Sequence, residues 1–270
     1  MHHINLLTAA LLAASGFVMA SAHAAPNWVG TADYTQAPSS SNTPVPEDKV
    51  GPFDTYDFAR GVVLVEDTTA TTGKDTYNGY YQSYVTNHQL GGAVVSASGL
   101  NKNYEVTVTA WFTETANSDG TTFDLTDGGV KLWFDTTPDY NFNADSGFAN
   151  DDIILEGTII SGTGALFNVG SRSVGFTDLT VRVDSYNTAV FEPDTIASGS
   201  SIFTLRLNDS SDAAFLDPIT SVMGHAYDGT DVKLAADGYL VLQVPEAKTY
   251  AMMLAGLGLI GFTVMRRSSI

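Results

Sequence analysis

The residues whose spacing most resembles a metal-binding pattern lie between positions 139 and 145. Oxygen-bearing side chains alternate there with other residues, at Asp139, Asn141, Asn143 and Asp145. Calcium-binding loops place their oxygen ligands in this alternating way, but they also carry a glycine at the sixth position, where this chain has Ala144. Two interpretations stay open. The commoner use of such a run is an Asx-rich connection between strands, and the alternative is a Ca²⁺ site. The sequence predicts no other cofactor.

Four tyrosines, Tyr77, Tyr80, Tyr81 and Tyr84, could supply flat faces on which sugar rings stack. If they lie on a strand, alternation puts Tyr80 and Tyr84 on one face and Tyr77 and Tyr81 on the other. At most half of them would therefore line one platform. An ordinary half-buried strand explains them equally well, so a carbohydrate-binding module is kept as an alternative function.

Catalytic side chains have few candidates in the sequence. Beyond residue 24 the only histidines are His88 and His225, and no nucleophile elbow, H-E-x-x-H run or phosphate-binding glycine loop occurs. The 30 acidic residues could include a pair at glycosidase spacing. Because aspartate in β-proteins mostly serves turns, no catalytic residue is predicted, and a secreted polysaccharide hydrolase is the less favoured alternative.

The charge and the cysteine count exclude several classes of protein. The chain has 270 residues, no cysteine and a formal net charge of −18. Residues 25–244 carry 9 basic and 29 acidic residues, a net charge near −20. So acidic a domain repels nucleic-acid phosphates, which excludes a nucleic-acid partner. Without cysteine there is no disulfide, thiolate nucleophile or Cys-ligated metal.

Alternating apolar and polar residues predict an all-β fold over residues 53–244. Clear examples are Val106, Val108 and Ala110, which alternate with threonines, and Leu179, Val181 and Val183 farther along. Alternation of this kind is typical of half-buried antiparallel strands, and turn dipeptides such as Asn-Gly and Asp-Gly separate the runs. We predict an antiparallel β-sandwich or jelly-roll-like domain of about ten strands.

The N-terminal part of the chain has a different character. Residues 1–24 have the apolar run and the small-residue cleavage sites, at Ala22 and Ala24, of a secretory signal peptide. Residues 25–52 are rich in Pro, Ser, Thr and Asn, which predicts an extended and loosely held lead-in.

The C-terminal residues 245–270 combine three features. A breaker sequence, Val244-Pro245-Glu246, is followed by an apolar stretch over residues 250–265 and then by Arg266 and Arg267. The apolar stretch is somewhat shorter than the ~20 residues that span a bilayer comfortably. It therefore predicts a short transmembrane helix, with the arginine pair on the cytoplasmic side.

These three features resemble a PEP-CTERM sorting signal. The resemblance implies a protein exported from a Gram-negative bacterium, held transiently in the inner membrane, processed by an exosortase and released to the cell surface or extracellular matrix. Ala247 stands where the second proline of the motif is often found. The region between the ends is similar to the flocculation-associated PEP-CTERM protein family, in residues 84–91, 103–110, 134–142 and 234–238. This second resemblance implies a role in holding cells and polysaccharide together in flocs, without catalytic residues.

Taken together, these features predict a non-enzymatic exported protein associated with exopolysaccharide, floc or biofilm formation. A strongly acidic domain would repel an anionic polymer unless divalent cations bridged the two. We therefore expect its partners to be the exosortase machinery and exopolysaccharide, the latter through divalent cations.

Overall fold

A computed structural model describes residues 26–37, 49–68, 75–170 and 172–244. The predicted signal peptide, with Ala22 and Ala24, lies outside these residues, as does the predicted C-terminal helix with Arg266 and Arg267. In the described ranges, no helix has the length and apolar character needed to cross a membrane.

Strands account for most of the described residues. They are β1 (Gly30–Asp33), β2 (Lys49–Phe53), β3 (Thr55–Phe58), β4 (Gly61–Asp67), β5 (Thr76–Leu90), β6 (Ala93–Val95), β7 (Glu105–Ala116), β8 (Thr122–Asp135), β9 (Asp152–Val169), β10 (Arg172–Tyr186), β11 (Phe191–Glu192), β12 (Ile202–Ser210), β13 (Ser221–Val222), β14 (His225–Ala226) and β15 (Val232–Gln243). A 3₁₀ turn covers Tyr34–Gln36, and one short helix, α1, covers Ala213–Leu216.

The long strands form one antiparallel sheet that closes on itself. Strands β5, β7, β8, β9, β10, β12 and β15 are hydrogen-bonded in that order, and β3 and β4 together bridge β15 back to β5. The prediction of an all-β antiparallel domain is confirmed. The closed sheet is barrel-like and eight strands around, with β3 and β4 counted together as one strand. The alternating pattern did not predict this closure.

The interior of the closed sheet holds the main core. Val106, Val108 and Ala110 point inward from β7, and Leu179 and Val181 do so from β10, all with 0% exposure. Inward residues are apolar because each aliphatic side chain removed from water contributes roughly 1.5–3 kcal/mol. The alternation in the sequence therefore marks the inside of the sheet correctly.

One end of the closed sheet is covered by a small sheet of β11, β1 and β2. Trp28, Tyr34 and Val50 from this cover are buried, and the Trp28 ring packs edge-on against Phe53 at a centroid distance of 5.5 Å. The composition of residues 25–52 predicts a loose lead-in, whereas its described parts, 26–37 and 49–52, pack into the core. These three buried side chains anchor the described parts of a stretch whose average composition is polar.

Two connections cover the outer face of β4, β5 and β7. One is the loop of residues 136–151, whose backbone carbonyl at Phe148 accepts a hydrogen bond from the Thr107 hydroxyl at 2.8 Å. The other is the segment of residues 212–227, which contains α1, β13 and β14 and packs Leu216 and Ile219 against Leu64. Residues on this outer face are buried although they point away from the interior.

Candidate functional site

A group of carboxylates lies where three neighbouring strands begin or end. Glu105 is the first residue of β7 and pairs with Asp135, the last residue of β8. Asp139 follows in the loop of residues 136–151, and Asp152 is the first residue of β9. The antiparallel register therefore brings together acidic residues that are up to 47 positions apart in the sequence. We call Glu105, Asp135 and Asp139 the acidic cluster.

The acidic cluster has the spacing of a metal site. One carboxylate oxygen from each residue lies within 4.8 Å of the other two. Oxygens that bind one Ca²⁺ at 2.3–2.6 Å cannot lie farther apart than about 5 Å. Glu105 and Asp135 are buried, while Asp139 is exposed. The cluster is thus closed on the protein side and open to solvent on the side of Asp139.

Glu105 is the most unusual member because it has 0% exposure and neither carboxylate oxygen forms a hydrogen bond of normal geometry with a described residue. Burial raises the pKa of Glu105 to about 8, and the charges of Asp135 and Asp139 act in the same direction. The backbone N–H groups of Asp139 and Tyr140 oppose this shift without removing it. A buried carboxylate with such weak hydrogen bonding is costly unless a cation accompanies it.

Asp135 is held in place by hydrogen bonds from the following loop. Its Oδ1 accepts from the backbone N–H of Thr137 at 2.6 Å, and its Oδ2 accepts from Nδ2 of Asn150 at 2.7 Å. Burial raises the pKa of Asp135 to about 6, opposed by the Thr137 N–H and reinforced by the neighbouring Asp151 and Asp139 carboxylates. Asp135 is therefore a fixed ligand position surrounded by negative charge.

No basic side chain among the described residues is paired with this charge. In the described part of the chain, none of the three cluster carboxylates forms an ion pair. Nearby, Oδ2 of Asp152 is also buried without a hydrogen-bond partner. Hard divalent cations with oxygen ligands are the chemistry that such an arrangement fits, and Ca²⁺ tolerates its irregular geometry better than Mg²⁺.

The structure brings only one of the four predicted loop ligands, Asp139, into the acidic cluster. Oδ1 of Asn141 accepts hydrogen bonds from the backbone N–H groups of Asn143 and Ala144 at 3.0 and 3.1 Å, which is an Asx turn. Asn143 is exposed. The remaining predicted ligand, Asp145, is used elsewhere in the fold.

Asp145 joins the two outer connections to the sheet. Its Oδ1 accepts from Nε2 of Gln82 and from the backbone N–H of Met223, both at 2.9 Å, and its Oδ2 accepts from the N–H of Gly224 at 2.7 Å. These partners come from β5 and from the segment of residues 212–227. Asp145 therefore holds these segments together and is not a member of the acidic cluster.

Glu105 and Asp135 were not identified from the sequence as candidate ligands. The alternation places Glu105 on the solvent side of β7, which is the correct face, but the loop of residues 136–151 covers that face. Asp135 directly follows an apolar strand and precedes the Asx-rich loop, so its position at a strand end was the available signal. The burial of Glu105 depends on a loop that is distant in the sequence, so the residues around Glu105 do not predict it.

The tyrosines lie on opposite faces of β5 as expected, but their rings already have protein partners. Tyr80 stacks on His225 at a centroid distance of 3.6 Å, and Tyr84 stacks on Tyr140 at 3.8 Å. Tyr81 is buried inside the closed sheet. One face of the Tyr80 ring and one face of the Tyr84 ring are therefore occupied by protein. A sugar could stack only on the other face of each ring.

The two histidines are far from any catalytic arrangement in the described residues. His88 is fully buried among aromatic rings, with Nε2 2.7 Å from the Tyr34 hydroxyl, and burial lowers its pKa to about 3. His225 lies on the outer face, with Nδ1 3.1 Å from Oε1 of Glu66. His88 is thus closed off from solvent, whereas His225 is partly exposed.

Comparison with known proteins identifies the C-terminal region. No curated protein and no solved structure matches the chain. The family model described as the PEP-CTERM protein-sorting motif matches residues 243–268. That range contains Val244, Pro245, Glu246, Arg266 and Arg267. The chain thus carries a PEP-CTERM sorting motif, which indicates an exported protein that is sorted at the membrane by an exosortase.

Proposed function

We propose that this exported protein is non-catalytic and acts at the cell surface or in the extracellular matrix, where it associates with exopolysaccharide during floc or biofilm formation. We propose further that a divalent cation, most suitably Ca²⁺, joins the acidic cluster to anionic groups of the polysaccharide. The observation that carries the cation is the buried Glu105 carboxylate, which forms no hydrogen bond of normal geometry with a described residue and lies beside Asp135 and the exposed Asp139.

Charge makes the cation necessary in this proposal. The domain has a net charge near −20 and would repel a polymer that carries carboxylates or sulfates. Ca²⁺ takes six to eight oxygen ligands, whereas the acidic cluster offers three carboxylates. Because Asp139 is exposed, the remaining coordination positions face solvent and are open to water or to oxygens of the polymer. Bridging of this kind is short-ranged and survives physiological salt better than long-range attraction.

The absence of a catalytic role is supported by the positions of the histidines. His88 is enclosed by the aromatic cover of the sheet and has its pKa lowered by burial, so it stays neutral. His225 is stacked on Tyr80 beside Glu66. A general base must lie within hydrogen-bond reach of its substrate, and His88 fails this requirement outright.

The test is retention of the purified protein on an acidic polysaccharide gel such as alginate, in 5 mM Ca²⁺ and in EDTA at equal ionic strength. We expect retention in Ca²⁺ and loss in EDTA, and loss in both for Glu105→Gln and Asp139→Asn. Asp124→Asn is the matched control, because Asp124 is an exposed carboxylate outside the cluster and its loss changes the net charge equally. Equal retention with and without the chelator would contradict the proposal.

The alternative of a cation-independent carbohydrate-binding module rests on one exposed aromatic residue. Trp111 is 44% exposed on the outer face of β7, opposite Gly129 of β8. An exposed indole can stack on a sugar ring. Binding to neutral glycans that persists in EDTA and is lost in Trp111→Ala would favour this alternative over the cation bridge.

A further inference from the structure

A second candidate site lies inside the closed sheet, at the end opposite the acidic cluster. A cavity of about 170 Å³ opens there between the last residues of β4, β7, β9 and β12 and the first residues of β5, β8, β10 and β15. Most of its lining is apolar and includes Val63, Phe112, Phe123, Leu166 and Leu234. It has no lining residue in common with the acidic cluster.

Glycine in β9 leaves part of this space free. Gly164 lines the cavity opposite Thr177 of β10. A Cβ atom added at Gly164 would meet its nearest neighbours, the Phe176 carbonyl oxygen among them, at 3.4–3.6 Å, which is ordinary contact. A larger side chain at this position would extend into space that the wild-type sequence keeps open.

Two carboxylic side chains face this apolar cavity. Glu114 and Asp209 are only 7% and 8% exposed. Oδ1 of Asp209 is buried without a hydrogen-bond partner, and Oδ2 is 3.4 Å from the Thr177 hydroxyl, a long hydrogen bond. No described residue donates a hydrogen bond to Glu114, and no basic residue lines the cavity. Apart from the Thr177 hydroxyl, the two carboxyl groups thus have no hydrogen-bond donor among the described residues.

The electrostatics of the pair point to a cationic partner. Burial raises the pKa of Glu114 to about 7 and that of Asp209 to about 6, and the charge of Asp209 raises the Glu114 value further. At neutral pH the pair therefore holds negative charge only at a cost. A ligand cation would remove that cost and would meet aromatic faces at Phe112 and Phe123.

The size and the lining restrict the rest of the ligand. An apolar cavity of about 150 Å³ accommodates benzene, so a space of about 170 Å³ accepts an apolar body of roughly that volume. A sugar ring would bring several hydroxyl groups into a lining that offers few partners for them. A small apolar amine satisfies both the carboxyl groups and the hydrophobic walls.

We propose that this cavity binds a small organic cation, with a primary ammonium group at Glu114 and Asp209 and an apolar body among the aromatic and aliphatic side chains. This inference goes beyond the proposed function and does not depend on the acidic cluster. Binding would use only residues that the structure describes, at the end of the sheet away from the cover formed by β1, β2 and β11.

The test is calorimetric titration of the purified full chain at pH 7.5 in EDTA with three ligands of similar size: benzylamine, benzyl alcohol and benzoate. We expect benzylamine to bind at least tenfold more tightly than benzyl alcohol, and benzoate not to bind. Glu114→Gln and Asp209→Asn should each weaken benzylamine binding at least tenfold and leave benzyl alcohol unchanged. Equal affinities for benzylamine and benzyl alcohol in the wild-type protein would overturn the proposal.

Cavity-filling variants locate the binding site. Gly164→Leu should abolish binding of benzylamine, and Gly164→Ala, which adds a Cβ in ordinary contact, should reduce it while keeping the fold. Asp124→Asn, on the outer face at the same end of the sheet, is the charge-matched control and should bind benzylamine as the wild type does. Undiminished binding in a folded Gly164→Leu protein would also overturn the proposal.

Discussion

Glu105 shows how a residue on the outer face of a strand becomes a buried charge. It begins β7 and points away from the sheet interior, but the loop of residues 136–151 covers it completely. Its carboxylate then has Asp135 and Asp139 as its neighbours instead of water. Removing a carboxylate from water without a counter-charge costs several kcal/mol. A bound divalent cation would offset that cost, and we therefore propose Glu105 as one of its ligands.

This placement leads to a prediction for thermal stability. A cation that binds only the folded state, present at about 10 to 100 times its Kd, stabilises it by about 1.4–2.7 kcal/mol, which raises the melting temperature of a domain of this size by roughly 3–10 °C. We expect that rise in 10 mM Ca²⁺ relative to EDTA for the wild type and none for Glu105→Gln. In EDTA the Gln variant should be at least as stable as the wild type, because it has no carboxyl group that folding must either protonate or bury as a charge. Identical melting temperatures of the wild type in Ca²⁺ and EDTA would refute the ligand assignment.

Glu114 and Asp209 lead to a prediction for pH dependence. Burial raises both pKa values above those of the unfolded chain, so the folded state binds more protons than the unfolded state between about pH 4 and 7. Their contribution to stability is complete below the unfolded pKa values and is lost as pH rises through the folded ones. We expect the unfolding free energy in EDTA to fall by about 2–4 kcal/mol between pH 5 and pH 8 on their account.

The double variant Glu114→Gln/Asp209→Asn isolates this contribution. Urea unfolding at several pH values should give a distinctly shallower pH dependence for the variant than for the wild type. If the two proteins lose stability in parallel as pH rises, the two carboxyl groups do not titrate with raised pKa values in the cavity.

At the scale of elements, the two outer connections depend on one carboxylate. Asp145 accepts hydrogen bonds from Gln82 in β5 and from the backbone of Met223 and Gly224. Its φ of 52° is a left-handed conformation that Asn and Asp tolerate better than most residues. Asp145 therefore fixes the loop of residues 136–151 against both the sheet and the segment of residues 212–227, and so positions Asp139 beside Glu105.

Asp145→Asn tests this role because it preserves the backbone conformation. The substitution removes the charge and one acceptor, which leaves an N–H of residue 223 or 224 poorly satisfied, and we expect a loss of about 1–3 kcal/mol in urea unfolding. Asp139→Asn should cost little in EDTA, because Asp139 is exposed, yet it should abolish the stabilisation by Ca²⁺. Equal destabilisation by the two substitutions in EDTA would argue against a structural role for Asp145 and a cation-binding role for Asp139.

The strands themselves were largely predictable from the sequence, whereas the segments that pack over the closed sheet were not. Alternation in Val106, Val108 and Ala110 follows from the period of a strand and depends only on neighbouring residues. The burial of Trp28 and Tyr34 in a polar segment, and the covering of Glu105 by a loop more than 30 residues away, depend on the tertiary fold. The sequence therefore indicated only one part of the acidic cluster, the loop and Asp139. The pairing of Glu105 with Asp135 becomes apparent only from the strand register.

At the scale of the whole molecule, the sorting motif and the acidic domain have separate tasks. The motif at residues 243–268 directs an exported protein to an exosortase. The closed sheet presents the acidic cluster at one end and the apolar cavity at the other. A net charge near −20 keeps such domains apart in solution, and under the proposed function their association with an anionic matrix would depend on divalent cations.

Complementation of a strain that lacks the gene tests this division of tasks. We expect the full chain to restore cell aggregation in calcium-containing medium. A chain without residues 245–270 should be released without restoring it, and the Glu105→Gln chain should reach the surface without restoring it. Full restoration by Glu105→Gln would separate aggregation from the acidic cluster, with surface levels measured by immunoblot as the control.

The most direct measurement of the central claim is calorimetric titration of Ca²⁺ into the metal-free protein at neutral pH. The account predicts one Ca²⁺ bound per chain at the acidic cluster, with a Kd of about 10⁻⁴–10⁻³ M as in other extracellular sites. The affinity should fall at least tenfold in Glu105→Gln and Asp139→Asn and stay unchanged in Asp124→Asn. Absence of binding in the wild type, or unchanged binding in Glu105→Gln, would contradict the account.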